Sequence, residues 1–295
     1  MILRKKMEIN KAYRYCGRDF TIDEMEIIRR ITEMELSRNR MSQEVCRQLQ
    51  WFKPDGKLKE MSCRVAMLQM EKDALISLPP PKNKNNNGKP YPPVTSLSNP
   101  LPPIHKPADE LKKIHLRLVT TREQSKLWNE YIERYHYLGY KPLPGAQLRY
   151  FVECEEGFLA CLGFAASAWK VAPRDQWIGW TGQQREKNLH LIVNNARFLI
   201  LPWVRSGNLA SKILSMVSKQ ISSDWKKRYN YQPVLLETFV QKDRFEGTCY
   251  KAANWILLGK TKGRGKLDRD RLQTLPIKYI FVYPLHQQFI TILLS

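Results

Sequence analysis

The chain has 295 residues, with 49 Lys and Arg against 28 Asp and Glu and a formal net charge of +21. That length holds one large domain or two ordinary ones, and a charge of this size points to a polyanionic partner, nucleic acid foremost, with DNA as the expected form. No apolar run approaches the ~20 residues of a membrane span, MILRKKMEIN carries no apolar leader core, and the six cysteines form no C-x-x-C pair; no membrane partner is expected, and a reducing cytoplasm is the expected setting.

Residues 1–78 read as a helical module. Thr21 and Glu24 make a capping box after Cys16-Gly17-Arg18-Asp19-Phe20, and Ile22, Met25, Ile28 and Met34 supply a helical face. Ser42 is expected to cap a second helix through Val45, Cys46 and Leu49. Pro54-Asp55-Gly56 is a turn, after which a third helix is expected over about 58–73, then an extended segment at 74–78. Three helices, a tight turn before the third and a closing strand resemble a winged helix. In that geometry the third helix enters the major groove, with Lys57, Lys59 and Arg64 as contacts. A plain three-helix bundle fits the same pattern, and a net charge of +4 over 1–78 does not separate the two.

Residues 79–113 read as a linker: ten of the eighteen prolines fall at 79–107, around an Asn-rich run, a composition that favours a stretched spacer. From Ile114 the pattern changes. Ile114, Leu116 and Leu118 alternate as a strand, Thr120 or Thr121 caps a helix through Leu127, Trp128, Tyr131 and Ile132, and alternation on both sides of Glu155-Glu156-Gly157 predicts a hairpin. Residues 169–189 carry no clear period. Residues 196–204 read as a strand buried on both faces, and Leu209, Ile213, Leu214, Val217 and Ile221 as the stripe of a helix ending near Tyr229. A strand at 234–240, a helix near 248–254 and a strand at 255–258 follow. This order predicts an α/β domain over 114–295, with functional groups at strand ends and loops.

Several residues are candidates for chemistry. Glu237 lies inside the apolar strand LLETFV, where a carboxylate must be paired or face a site, and Arg244 is close along the chain. His136, between two tyrosines, is a candidate base as well as a capping residue. Asp175, Asp224, Glu237 and Asp243 could converge on a metal as a nuclease requires, whereas the five histidines show no metal-ligand spacing and no metal site is expected. Gly259-Lys260-Thr261 lacks the earlier glycine of a phosphate-binding P-loop, since position 254 is Asn. Lys260, Lys262, Arg264 and Lys266 form a basic loop suited to a phosphate backbone, with Tyr250 and Trp255 nearby to stack on bases.

Two resemblances add to this. A strand, Pro202, Arg205, Gly207, Ala210 and then a helix resemble the loop with which GNAT-type acyltransferases cradle the pyrophosphate of acetyl-CoA, and the segment GTCYKAANW is similar to a later element of that fold. The resemblance implies a GNAT-like mixed sheet, cofactor contacts at Arg205, Gly207 and Ala210, and a general base and acid in Glu237 and Tyr250. Asn208 stands where that pattern has glycine, and the sequence names no cofactor. The runs RFLILPWV, NLAS, DWKKRY, PVLLETFV, RFEGTCYKAANW and GKTKGRGK, with HYLGY and CGRDF, resemble the family of DruA, the first component of Druantia anti-phage defence systems. This implies a role in bacterial defence beside a large helicase-type protein. A nucleic-acid-binding component, an acyltransferase and a transposase- or nuclease-like DNA-processing enzyme all remain open.

Overall fold

The computed structural model describes residues 13–81, 92–263 and 275–295. They fall into two units, Met1–Lys89 and Pro90–Ser295.

In the first unit, β1 (Tyr13–Tyr15) and β2 (Arg18–Phe20) form a hairpin across Cys16 and Gly17, whose φ values of 51° and 76° suit a tight two-residue turn. Helices α1 (Ile22–Thr32), α2 (Arg38–Gln48) and α3 (Glu60–Lys72) follow. The expected capping box is present: Thr21 Oγ1 accepts the Glu24 N–H at 3.2 Å and Glu24 Oε2 accepts the Thr21 N–H at 3.1 Å. Phe20, Met25, Ile28, Val45, Cys46, Trp51, Met67 and Met70 close the core. Ser37, not Ser42, caps α2; Ser42 is buried and turns its hydroxyl onto the Asn39 carbonyl. The strand expected at 74–78 is not formed. Ala74 takes φ 56° and reverses the chain, so that the Leu75 N–H bonds the Met70 carbonyl and the Leu78 N–H bonds Glu71 Oε1. The helix end thus satisfies the backbone that a wing would have paired, and the only sheet among the described residues of this unit precedes the helices.

The second unit runs β3 (His115–Leu118), α4 (Arg122–Tyr135), β4 (Gln147–Cys154), β5 (Gly157–Ala166), α5 (Ala172–Ile178), α6 (Gly182–Asn188), β6 (Ile192–Ile200), α7 (Leu209–Tyr229), β7 (Leu235–Gln241), α8 (Thr248–Ala252), β8 (Ile256–Lys260), β9 (Lys278–Pro284) and α9 (Phe289–Leu294). Its strands form one mixed seven-stranded sheet in the order β3-β4-β5-β6-β7-β9-β8, in which only β6 and β7 pair in parallel. The strand, loop, helix, strand, helix, strand order expected from β6 to β8 is the order found. β6 begins four residues before the expected start because Asn194 and Asn195, polar in sequence, sit inside the sheet.

The sheet has two faces. Ile213, Leu214, Val217, Ile221 and Trp225 of α7 share a core with Val193, Leu236 and Phe281. On the opposite face α4 packs Trp128 above Gly163, where an added Cβ would meet the indole at 3.0 Å. Next to it α5, α6 and α9 cover Ile192, Leu235 and Val282.

The later part of the proline-rich segment is not a free spacer. Ser98, Ile104, Ala108 and Leu111 are buried in the second unit, and Ile104 bridges Val204 in parallel. Glu130, itself 4 % exposed, accepts bonds from the Thr95 N–H and from the Ser98 hydroxyl at 2.7 Å. Prolines supply an extended backbone at little entropic cost, and the few apolar residues among them bury as anchors.

Candidate functional site

The parallel pairing of β6 with β7 starts at Ile192 and Leu235 and stops at Asn195 and Thr238, although both strands continue. Side chains alternate along a strand, so Thr238 and Glu237 point to opposite faces. On the α7 face, Thr238 Oγ1 donates to the Asn195 carbonyl at 3.0 Å and the Tyr250 hydroxyl donates to Asn195 Oδ1 at 2.8 Å. The Tyr250 ring stacks on Phe281 at 5.7 Å. Burial pushes its phenol well above the ordinary range.

Glu237 faces the other way, fully buried. Its carboxylate accepts from Arg174 Nη1 at 2.7 Å and from the Ala168 N–H at 2.9 Å. Arg174, also 0 % exposed, turns Nε and Nη2 to Asp175 Oδ1 at 3.0 and 2.8 Å. Arg174 of α5, not Arg244, is therefore the partner of Glu237. Burial raises the Glu237 carboxyl, and Arg174 pulls it back. The base and acid that the acyltransferase resemblance implied are separated by the sheet, each committed to an internal bond.

His136 follows α4. Its Nδ1 accepts the Leu138 N–H at 3.2 Å, which places the ring proton on Nε2 and makes that nitrogen a donor rather than a base. The ring stacks on Tyr137 at 4.8 Å, and Arg244 lies 4.6 Å above the Tyr137 ring. Burial first, then the Arg197 and Arg244 guanidiniums, hold the imidazole down to about 4.

The four carboxylates do not converge. Asp175 and Glu237 flank Arg174, Asp224 accepts from Tyr150 and Gln220 at 3.0 and 2.9 Å on the α7 face, and Asp243 is exposed. Among the described residues no group of three or more His, Cys, Asp or Glu is placed to hold a metal ion.

At the entrance to α7 the proline-rich strap docks on the loop expected to cradle pyrophosphate. The Arg205 N–H is spent on the Ile104 carbonyl at 2.9 Å, the Gly207 carbonyl accepts the Ala108 N–H at 3.3 Å, and Lys212 Nζ is held by the Ala108 carbonyl at 2.6 Å. Asn208 takes the left-handed conformation, φ 62°, immediately before α7, which Ala210 follows into its first turn.

Of the basic loop, Lys260 and Lys262 are exposed, Lys260 lying 5.5 Å from the Tyr279 ring, while Arg264 and Lys266 lie outside the described residues. Tyr250 and Trp255 are buried at 7 % and 4 % exposure and are not free to stack on bases. In the first unit Lys57 is exposed, Lys59 precedes α3 and Arg64 is half-buried; the outer face of α3 carries Met61, Val65 and Leu68, exposed at 62, 43 and 39 %. An apolar outer face does not suit a recognition helix, which presents polar groups to base edges.

The sequence reading passed over two residues, Arg197 and Lys278. Between Phe164↔Asn195 and Gly163↔Arg197 the register skips Ala196, and this bulge turns Arg197 onto the α4 face. Lys278 pairs with Gln241, one residue out of phase with Val240 and Thr238, and so shares that face. Burial lowers both, and Arg197 lowers Lys278 further. The legible signal was a lone basic residue inside or at the mouth of an apolar strand, IVNNARFLI and KYIFVYP.

Fold and site together define a basic α/β protein with a mixed seven-stranded sheet whose expected catalytic pair is locked into the core. The chain belongs to the family described as Druantia protein DruA, which matches residues 69–274, and it is thereby a component of the Druantia anti-phage defence type. No curated protein matches it. Among solved structures it is similar to a GNAT-family acetyltransferase of Streptococcus pneumoniae (11 % identity, 48 % of this chain and 67 % of that one, TM-score 0.31). It is also similar to an N-acetyltransferase of Staphylococcus aureus Mu50 (11 %, 58 % and 97 %, 0.34) and to an aminoglycoside acetyltransferase in complex with coenzyme A (12 %, 61 % and 98 %, 0.38). These scores are too low to bear on this chain's chemistry.

Proposed function

We propose that this DruA-family chain serves phage defence by binding nucleic acid, DNA in the first instance, through the basic surface of its second unit, beside the larger helicase-type component of the system. The observation that carries this reading is the charge of residues 114–295, 27 Lys and Arg against 14 Asp and Glu, a net +13. Even with each of those 14 carboxylates paired to a cation of the same range, 13 Lys and Arg are left without one. A small anionic cofactor needs far less charge; a polynucleotide uses it by displacing counterions. The first unit enters this proposal only as an accessory, because its third helix presents an apolar face.

Fluorescence anisotropy with a labelled duplex and single strand over a range of salt concentrations tests the reading. The logarithm of affinity is expected to fall with the logarithm of salt, by ~0.9 for each duplex phosphate neutralised, and to weaken when Lys260, Lys262, Arg264 and Lys266 are changed together to Ala. Binding that is absent at low salt, or indifferent to salt, refutes it.

A further inference from the structure

Where β6 and β7 part, three cations gather on the α4 face: Arg197 from the β6 bulge, Lys278 from the start of β9, and Arg244 from the turn after β7. Arg197 and Lys278 are half-buried, and none of the three pairs with a carboxylate among the described residues. Arg197 spends Nη1 on the Ala196 carbonyl at 2.7 Å, while its Nε is shielded from solvent without any acceptor. A buried guanidinium donor left without a partner is unfavourable. Here it sits beside further positive charge, which no packing role calls for.

We propose that Arg197 and Lys278, walled by the stacked His136, Tyr137 and Arg244, form a binding site for a phosphate group. Guanidinium presents a planar fork suited to two oxygens of one phosphate, and Nε is one arm of that fork. The ammonium of Lys278 adds a point charge, and the His136 tautomer described above adds a neutral N–H donor. A carboxylate would answer one charge; a phosphate spreads more charge over more oxygens and answers two or three. His136 stacks on the Tyr137 ring and Arg244 lies over it, so charge and N–H donors are what this wall offers a ligand. The proposal rests on the nucleic-acid reading only for the source of the phosphate, which a strand or a free nucleotide could supply.

The test uses the full chain and three probes: inorganic phosphate, adenosine 5′-monophosphate and a short labelled oligonucleotide, each against chloride at matched ionic strength. Phosphate or the mononucleotide is expected to raise the thermal midpoint of the wild type, and Arg197→Met with Lys278→Met to abolish that shift. Arg197→Lys, which keeps charge and loses the fork, is expected to weaken binding about tenfold, as befits one charge-assisted hydrogen bond. Circular dichroism checks that each variant is folded. If the oligonucleotide also weakens with these variants, the source is a strand; if only the small probes do, it is a free nucleotide, and both outcomes support the site. Wild type that binds the oligonucleotide, yet responds to phosphate no more than to chloride, overturns the site and leaves the nucleic-acid reading intact. Phosphate binding without oligonucleotide binding does the reverse.

Discussion

Glu237 shows how one residue's neighbours decide its role. A carboxylate in a strand interior is costly unless its lone pairs are used, and here Arg174 and the Ala168 N–H use them. Arg174→Met leaves that carboxylate buried and uncompensated and is expected to cost about 3–5 kcal/mol in urea unfolding. Glu237→Gln keeps an acceptor for Ala168 and leaves Arg174 on Asp175, so about 1–3 kcal/mol is expected. Equal and small effects of the two changes would show that the pair is not a structural clamp. His136 carries a pH dependence of definite sign. Its imidazole is held to about 4 in the folded chain against an ordinary 6.5, so on acidification the unfolded chain takes up a proton that the folded one refuses. The stability this provides is full above pH 6.5 and is lost as pH falls through that window, by at most about 1.4 kcal/mol per pH unit. The urea midpoint of His136→Gln should therefore fall less steeply than that of the wild type between neutral pH and pH 4; parallel slopes would mean that the histidine is not the group responsible.

At the scale of elements, the strap over 92–111 changes what the β6–α7 loop can do. A helix N-terminus preceded by a glycine loop offers free N–H groups to pyrophosphate, but the Arg205 N–H and the Gly207 carbonyl are already bonded to the strap and Asn208 bears a Cβ where the acyltransferase pattern has none. No heat of acetyl-CoA binding is expected in calorimetry at micromolar concentration. Tight binding abolished by Gly207→Val would restore the acyltransferase reading. The opposite case, where glycine is indispensable, lies at the entrance to α8. Gly247 combines φ 69° with a Phe281 ring that an added Cβ would meet at 2.6 Å, which explains why the RFEGTCY run carries glycine there.

For the whole molecule, local periodicity was the reliable guide. The capping box at Thr21, the hairpin around Glu155-Glu156-Gly157, the α7 stripe and the β7 strand were legible because each depends on residues near one another in sequence. The literal runs also carried the family. Less legible were segments whose partners are distant. KYIFVYP is a clear strand after its leading lysine, but nothing in its neighbourhood says that it inserts between β7 and β8. The strap looked like a spacer since its anchors, Ile104, Ala108 and Leu111, are few and scattered among prolines, and only the surface they meet makes them core. The sequence by itself determined the charge of the second unit, its α/β order and the family. Tertiary structure alone decided which face each charge occupies: the Ala196 bulge puts Arg197 beside Lys278, and the pleat sets Glu237 and Tyr250 on opposite sides of the sheet. A side-chain period of two makes a single inserted residue reverse a face, and whether a strand carries that insertion is set by its neighbours.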